Sequence, residues 1–147
     1  MHDDIRQRIV EEAKSWLGTP YVHQASCKGA GCDCLGLIRG VWRAVIGPEP
    51  EQPPPYSPDW AERNGAETML AAAIRHLLRK PDDAVIEPGD VLLFRYRAHL
   101  PAKHAGIAIS PDEMIHAQEG TGVVRVPLTG WWRRHLAAVF AFPMEQG

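Results

Sequence analysis

Residues 31–38 read Gly-Cys-Asp-Cys-Leu-Gly-Leu-Ile, which places a cysteine where a glycine-containing loop turns into an apolar helical run. Apolar residues recur at helical spacing as far as Ile46, so we predict a largely buried helix that begins near Asp33. Cys34 would lie in its first turn, where unpaired backbone N–H groups and the helix dipole favour an anion. We therefore expect the helix start to lower the pKa of the Cys34 thiol and make it a candidate nucleophile.

Length and composition predict a single globular domain spanning residues 1–147. Of the 147 residues, 45% are hydrophobic and 23% are charged, and the formal net charge is −2. No basic stripe stands out, so nucleic acid is not an expected partner. The first residues are acidic, and no apolar run is long enough to span a membrane. We therefore expect no signal peptide, no membrane span, and synthesis in the cytoplasm.

The order of the predicted elements indicates an α+β fold. Helical spacing of apolar residues predicts three helical regions, at 4–17, 33–46 and 59–79, and an irregular loop over 21–32. Five strands with short connections follow, at 91–94, 104–109, 113–118, 123–128 and 137–142. Helices followed by strands favour a five-stranded antiparallel sheet with the N-terminal helices packed on it. Six prolines over 47–58 predict an extended, proline-rich insert.

Strand geometry brings together two of the seven histidines. A hairpin that pairs Ile109 with Glu113 would also pair Gly106 with His116. His104 would then lie diagonal to His116 on the same side of the sheet, within reach of its imidazole. Gly106 has no side chain and leaves the space between the two rings open.

A thiolate nucleophile needs a histidine base and a third group that orients the histidine. His104 would take the proton of Cys34, and His116 would fix the tautomer of His104 through a hydrogen bond. The backbone N–H of Cys34, at a helix N-terminus, is a candidate oxyanion donor.

Other groups have competing interpretations. A metal site could be built from four side chains: His23, Cys27, Cys32 and Cys34. Their spacing matches no common zinc pattern, so we expect neither a metal nor another cofactor. Two adjacent indoles, Trp131 and Trp132, are more typical of core and strand-edge packing than of a carbohydrate platform.

Several segments resemble, in order, the NlpC-type cell-wall peptidase family, which are papain-like cysteine endopeptidases of bacteria and their phages. They are Trp-Leu-Gly-Thr-Pro-Tyr at 16–21, Asp-Cys-Leu-Gly-Leu at 33–37, Pro-Gly-Asp-Val-Leu-Leu-Phe at 88–94, Lys-His-Ala-Gly-Ile at 103–107 and Ile-His-Ala at 115–117. The resemblance implies a papain-like fold. It also implies hydrolysis of a peptide bond in peptidoglycan stem peptides, typically between D-glutamate and a diamino acid, through a thioester acyl-enzyme.

The resemblance assigns roles to individual residues. It implies that Cys34 is the nucleophile, His104 the base and His116 the orienting group. Tyr21 would assist the oxyanion site, and Asp33 would hold the amino end of the substrate.

Leu35 departs from the family pattern, which usually has serine there, and offers the substrate an apolar contact instead of a hydroxyl. This variant, the small size and the proline-rich insert resemble the subgroup encoded with phage and gene-transfer-agent tails. That resemblance implies tail proteins as partners and delivery to the cell wall by a particle. The alternatives are an acyltransferase or amidase on the same scaffold, and a non-catalytic tail-assembly module.

Overall fold

The computed structural model describes residues 2–51 and 68–143. The helices described are α1 (His2–Ser15), α2 (Cys34–Val41), α3 (Thr68–His76) and α4 (Gly130–Arg134). The strands described are β1 (Ser26–Cys27), β2 (Gly31–Cys32), β3 (Leu78–Arg79), β4 (Val91–Phe94), β5 (His104–Ser110), β6 (Glu113–Gln118), β7 (Gly122–Pro127) and β8 (Leu136–Ala141).

The main sheet is antiparallel and has the strand order β3-β8-β4-β5-β6-β7. The five predicted strands are confirmed, but the predicted count is wrong because β3 adds a sixth. Leu78 and Arg79 were predicted to end a helix, and instead they pair with the end of β8. A two-residue edge strand with both side chains exposed carries no alternating pattern, so its sequence is indistinguishable from a helix end.

The sheet separates two apolar clusters. The larger one lies between the sheet and the helices α1 and α2, and includes Ile9, Trp16, Leu37, Ile107 and Phe140. The smaller one lies on the opposite face, with Phe94, Met114, Leu128 and Val139 buried and Trp132 of α4 packed against them. Because neighbouring residues of a strand point to opposite faces, β5 and β6 contribute to both clusters.

The start of α2 is fixed by local hydrogen bonds. Asp33 is the N-cap, and its Oδ1 accepts a hydrogen bond of 2.8 Å from the backbone N–H of Gly36. A side chain on Gly36 would collide with the carbonyl of Ala25, so the loop before α2 lies directly against the helix. This loop, predicted to be irregular, contains the short hairpin of β1 and β2.

The predicted helix over 33–46 is confirmed, with a change of geometry at its end. After Val41 the chain continues as a π-helical turn over Trp42–Ile46. The turn ends at Gly47, whose φ of 149° lies outside the region that other residues readily adopt.

A buried carboxylate connects α1 to the sheet. Asp90, in the turn before β4, is 0% exposed and accepts hydrogen bonds from Arg6 (2.9 Å) and Lys80 (2.6 Å). It also accepts one of 2.8 Å from the backbone N–H of Glu87. Asp90 therefore connects α1, the segment after β3 and the turn before β4.

Part of the proline-rich insert and most of the third predicted helical region lie outside the described residues. Pro48 and Pro50 are exposed, and the helix is seen only as α3. Within 2–51 and 68–143, no helix combines the length and apolar character needed to cross a membrane.

Candidate active site

The loop before α2 is organised around Asp33, which is only 3% exposed. Its second carboxylate oxygen accepts a hydrogen bond of 2.8 Å from the backbone N–H of Gln24. Gln24 has a positive φ of 65°, an unusual conformation for a residue other than glycine. His23 Nδ1 lies 3.9 Å from the same carboxylate oxygen. Asp33 therefore holds the loop that precedes Cys34.

Cys34 is the first residue of α2 and is 8% exposed. Burial raises the pKa of its thiol to about 12, and the neighbouring Asp33 carboxylate acts in the same direction. The backbone N–H groups of Ala105 and Leu35 oppose this shift because they donate hydrogen bonds to the sulfur. The predicted lowering of the thiol pKa is therefore wrong for the resting protein, since desolvation outweighs the helix terminus. A Cys34 thiolate near neutral pH would therefore require proton transfer to a neighbouring base.

The two predicted histidines lie side by side. His104 begins β5 and His116 lies within β6, and the distance between His104 Nε2 and His116 Nδ1 is 2.8 Å. The strands pair Ile107 with Ile115, the register in which Gly106 faces His116, as predicted. Gly106 lies against His116, because an added Cβ would sit 3.3 Å from the Cβ of His116.

The end of this hairpin differs from the prediction. Glu113 pairs with Ser110 rather than with Ile109, because the register shifts between Ala108 and Ser110. This irregularity leaves Ile109 of β5 as an extra residue without a partner in β6. The part of the hairpin that carries the histidines keeps the expected register. Alternation of side chains along a strand does not reveal such a local insertion.

Burial keeps both imidazoles uncharged. His104 is 9% exposed and His116 is 2% exposed. Burial lowers the pKa of His104 to about 3, with smaller contributions from His116 and Lys103, and it lowers the pKa of His116 to about 4. The other ring nitrogen of His116, Nε2, is buried without a hydrogen-bond partner among the residues that the structure describes.

Cys34, His104 and His116 line one cavity of about 530 Å³. Aromatic and polar side chains complete its lining: Tyr21, Tyr96, Lys103, Gln118, Glu119, Trp131 and Trp132. The nucleophile, base and orienting group proposed from sequence therefore open onto the same space, which is large enough for a short peptide segment.

Tyr21 and Leu35 occupy different surroundings. Burial, together with Cys34 and Asp33, raises the pKa of Tyr21, so its hydroxyl keeps its proton and can donate a hydrogen bond within the cavity. Leu35 lines a separate apolar cavity of about 230 Å³ beside α2 and α3, and it packs against the larger apolar cluster. Leu35 is thus placed among apolar side chains rather than in the lining of the catalytic cavity.

The remaining cysteines and the two adjacent tryptophans differ in their exposure and their position. Cys32 is fully buried and burial raises its pKa to about 12, whereas Cys27 is exposed. In the described part of the chain, no group of three or more His, Cys, Asp or Glu side chains could hold a metal ion. Trp131 and Trp132 belong to α4, a short helix that the sequence analysis missed, and both line the catalytic cavity.

The buried histidines predict a specific loss of stability in mild acid. Both are neutral when folded, but in the unfolded chain they bind protons below about pH 6.5, so unfolding is favoured as the pH falls from there toward about 4. We expect the free energy of unfolding to fall by up to about 1.4 kcal/mol per pH unit for each histidine. Urea unfolding at pH 7 and pH 5 measures this slope.

A double variant, His104→Gln with His116→Gln, is the control for that slope. It should unfold with a flatter pH dependence over the same range. Carboxylates with lowered pKa values contribute at lower pH, because their unfolded-state value is 4.5; they are Glu49, Glu51, Glu87 and Glu113. An unchanged slope in the double variant would contradict the assignment to the two histidines.

Comparison with known proteins identifies the family of this chain. The sequence model of the NlpC/P60 family matches residues 18–140. The chain belongs to the NlpC/P60 family. The matched region contains the loop before α2, the two histidine strands and the rest of the catalytic cavity.

Two curated relatives and one solved structure extend the comparison. The chain is 28% identical to the gamma-DL-glutamyl hydrolase of Bacillus subtilis over 135 residues, which are 91% of this chain and 29% of that protein. It is 27% identical to the murein DD-endopeptidase MepS/murein LD-carboxypeptidase of Escherichia coli K12 over 121 residues, which are 82% of this chain and 54% of that protein. The chain thus spans 29% of the length of the first of these relatives and 54% of the second.

An NLP/P60-family protein of Staphylococcus aureus, described as similar to a lipoprotein, superimposes with a TM-score of 0.65 at 21% identity. The match covers 97% of this chain and 43% of that one. This likeness confirms the predicted papain-like α+β fold.

Proposed function

We propose that this NlpC/P60 chain is a cysteine peptidase that hydrolyses peptide bonds of peptidoglycan stem peptides. The observation that carries the proposal is the shared cavity, which is lined by a helix-start cysteine and by a histidine pair joined at 2.8 Å. The names of the relatives, a glutamyl hydrolase and a murein endopeptidase, supply the substrate class.

The proposed reaction is acyl transfer through a thioester. His104 Nε2–H donates to His116 Nδ1, which leaves His104 Nδ1 free to accept the thiol proton of Cys34. The sulfur attacks the peptide carbonyl, and the protonated His104 then gives its proton to the leaving amine. Water, deprotonated by His104, then attacks the thioester, the C–S bond breaks to release the free acid, and the Cys34 sulfur regains its proton from His104.

The negative oxygen of the tetrahedral intermediate needs hydrogen-bond donors. The hydroxyl of Tyr21 lines the cavity and keeps its proton because burial raises its pKa. We assign it this role, together with the backbone N–H at the start of α2. The chain's own residues supply every proton transfer in this scheme.

The bond that we propose is the one between D-glutamate and the diamino acid. It is supported by the glutamyl hydrolase name of the B. subtilis relative. The E. coli relative is named for a DD-endopeptidase and an LD-carboxypeptidase activity, so family membership alone leaves more than one bond open.

Defined peptides distinguish these bonds. The protein is incubated with a synthetic L-Ala-γ-D-Glu-diamino acid tripeptide, with a DD-cross-linked dimer and with a tetrapeptide carrying a terminal D-Ala, and products are identified by mass spectrometry. We expect cleavage of the tripeptide after D-glutamate, and none by Cys34→Ala. Cleavage of only the cross-linked dimer or the tetrapeptide would contradict the proposed bond. Transfer of the acyl group to an added amine instead of water would favour the acyltransferase alternative.

We further propose that the protein acts in the tail of a phage or gene-transfer-agent particle. The support is the Asp-Cys-Leu-Gly-Leu variant at 33–37 and the proline-rich stretch, which resemble that subgroup. Immunodetection of the protein in purified particles tests it, and its absence from particles of an expressing strain would contradict it.

A further inference from the structure

In the proposed mechanism, the Cys34 thiolate compensates the positive charge on His104 only until the sulfur attacks the peptide carbonyl. When His104 takes the proton of Cys34, its imidazolium faces a neutral imidazole rather than a carboxylate. His116 has no partner on its other nitrogen within the described residues, so no carboxylate among those residues acts through it. Lys103, the preceding residue, opposes the positive charge.

The indole of Trp132 covers the histidine pair. Its ring lies over His104 with centroids 5.9 Å apart and planes inclined by 29°. It meets His116 edge to face, with centroids 5.1 Å apart and planes inclined by 77°. An electron-rich aromatic face within about 6 Å of a cation attracts it, and tryptophan does so most strongly.

Trp132 is itself held in place by neighbouring rings. Phe94 packs against it edge to face at 4.8 Å, and Trp131 does so at 4.9 Å. It also packs on the smaller apolar cluster of the sheet. Its face is therefore presented to His104 before any proton moves, so no reorganisation is needed when the charge appears.

We propose that Trp132 is a positioning residue for the catalytic histidine pair, and that its indole stabilises the protonated form of His104 in the Cys34–His104 ion pair. The inference rests on the proposed function, because it assumes that His104 is the base. The groups around His104 are His116 from β6, Lys103 from the preceding loop and Trp132 from α4, with Cys34, Tyr21 and Glu119 lining the same cavity. Phe94 also approaches His104, with centroids 6.3 Å apart and planes inclined by 37°, but the indole of Trp132 is nearer and is stacked on the imidazole.

Alkylation of Cys34 by iodoacetamide between pH 5 and pH 9 tests this role without any cell-wall substrate. The background carries Cys27→Ser, because Cys27 is exposed, and peptide mapping locates the label. At pH 6, Cys34 reacts through the fraction of the thiol that is ionised by proton transfer to His104. At pH 9, direct ionisation of the thiol adds to the rate. The ratio of the two rates therefore reports on the imidazolium, whereas a general structural loss changes both rates together.

We expect Trp132→Leu to lower the pH 6 to pH 9 rate ratio by about 2- to 30-fold, the range of a cation–π interaction. Trp132→Phe, which keeps a weaker aromatic face, should give an intermediate ratio and also serves if the leucine variant fails to fold. Leu136→Ala is the matched control, because Leu136 packs on the same apolar cluster but does not line the cavity. Its ratio should equal that of the parent.

Two outcomes would overturn the inference. One is a pH 6 to pH 9 rate ratio in both Trp132 variants equal to that of the parent, and the other is an equal fall of this ratio in Leu136→Ala. A parent protein whose Cys34 reacts at pH 6 no faster than Cys34 of His104→Ala would instead contradict the proposed function. The two failures are therefore distinguishable.

Discussion

Replacing His104 with alanine should reduce peptide hydrolysis by at least about 100-fold, and by up to about 10,000-fold, while the protein stays folded. The reason is the burial of Cys34, which raises the pKa of its thiol to about 12. Without a neighbouring base, almost none of the thiol would be ionised at neutral pH. The measurement is kcat/KM for a defined stem peptide, with circular dichroism to verify folding.

His76→Ala is the matched control, because His76 pairs with Glu51 at the end of α3 and does not line the catalytic cavity. It should hydrolyse the peptide at the parental rate. The kcat/KM of His116→Ala should lie between those of His104→Ala and His76→Ala, because His116 orients the base and does not accept the proton. Activity in His104→Ala close to that of the parent would show that another group deprotonates Cys34.

Replacing Asp90 with alanine should destabilise the fold by about 3–5 kcal/mol, the usual cost of removing one partner of a buried ion pair. The more exposed carboxylate of Glu87 would then be the acidic partner left to Arg6 and Lys80. The side chains of Arg6 and Lys80 are only 13% and 14% exposed, so neither can be fully hydrated where it lies. The backbone N–H of Glu87 would lose its acceptor as well. Urea unfolding monitored by tryptophan fluorescence measures the loss.

The control for this prediction is Glu113→Ala, which removes a cross-strand ion pair with Arg125 at the surface. Exposed pairs contribute little to stability, so its unfolding midpoint should stay close to that of the parent. If Asp90→Ala unfolded at the same urea concentration as Glu113→Ala, Asp90 would not anchor α1 to the sheet.

The sequence predicted those parts of the site that depend on local pattern. Helical spacing placed Cys34 at a helix start, and strand alternation brought His104 beside His116. Both features follow from the periods of helices and strands, which a sequence carries directly. The bulge at Ile109 interrupts the strand alternation, and the edge strand at Leu78 is too short to show one, so the sequence did not reveal either feature.

Properties that depend on three-dimensional burial could not be predicted. The helix start suggested a low thiol pKa, but the cavity wall around Cys34 desolvates the sulfur and reverses the shift. Trp132 was interpreted as packing, which it is, yet its contact with His104 comes from the docking of α4 on a distant part of the chain. The resemblance implied that Asp33 holds the amino end of the substrate. In the structure, its two carboxylate oxygens accept hydrogen bonds from the backbone N–H groups of Gln24 and Gly36.

The central claim is that Cys34 is the nucleophile of a peptidoglycan peptidase, and one measurement tests it most directly. Purified peptidoglycan is incubated with the protein and with Cys34→Ala, and the soluble fragments are identified by mass spectrometry. We predict that the parent protein releases stem-peptide fragments ending in a new carboxyl group and that Cys34→Ala releases none. Equal release by both proteins, or no release by either, would contradict the claim, and the latter would favour a non-catalytic module.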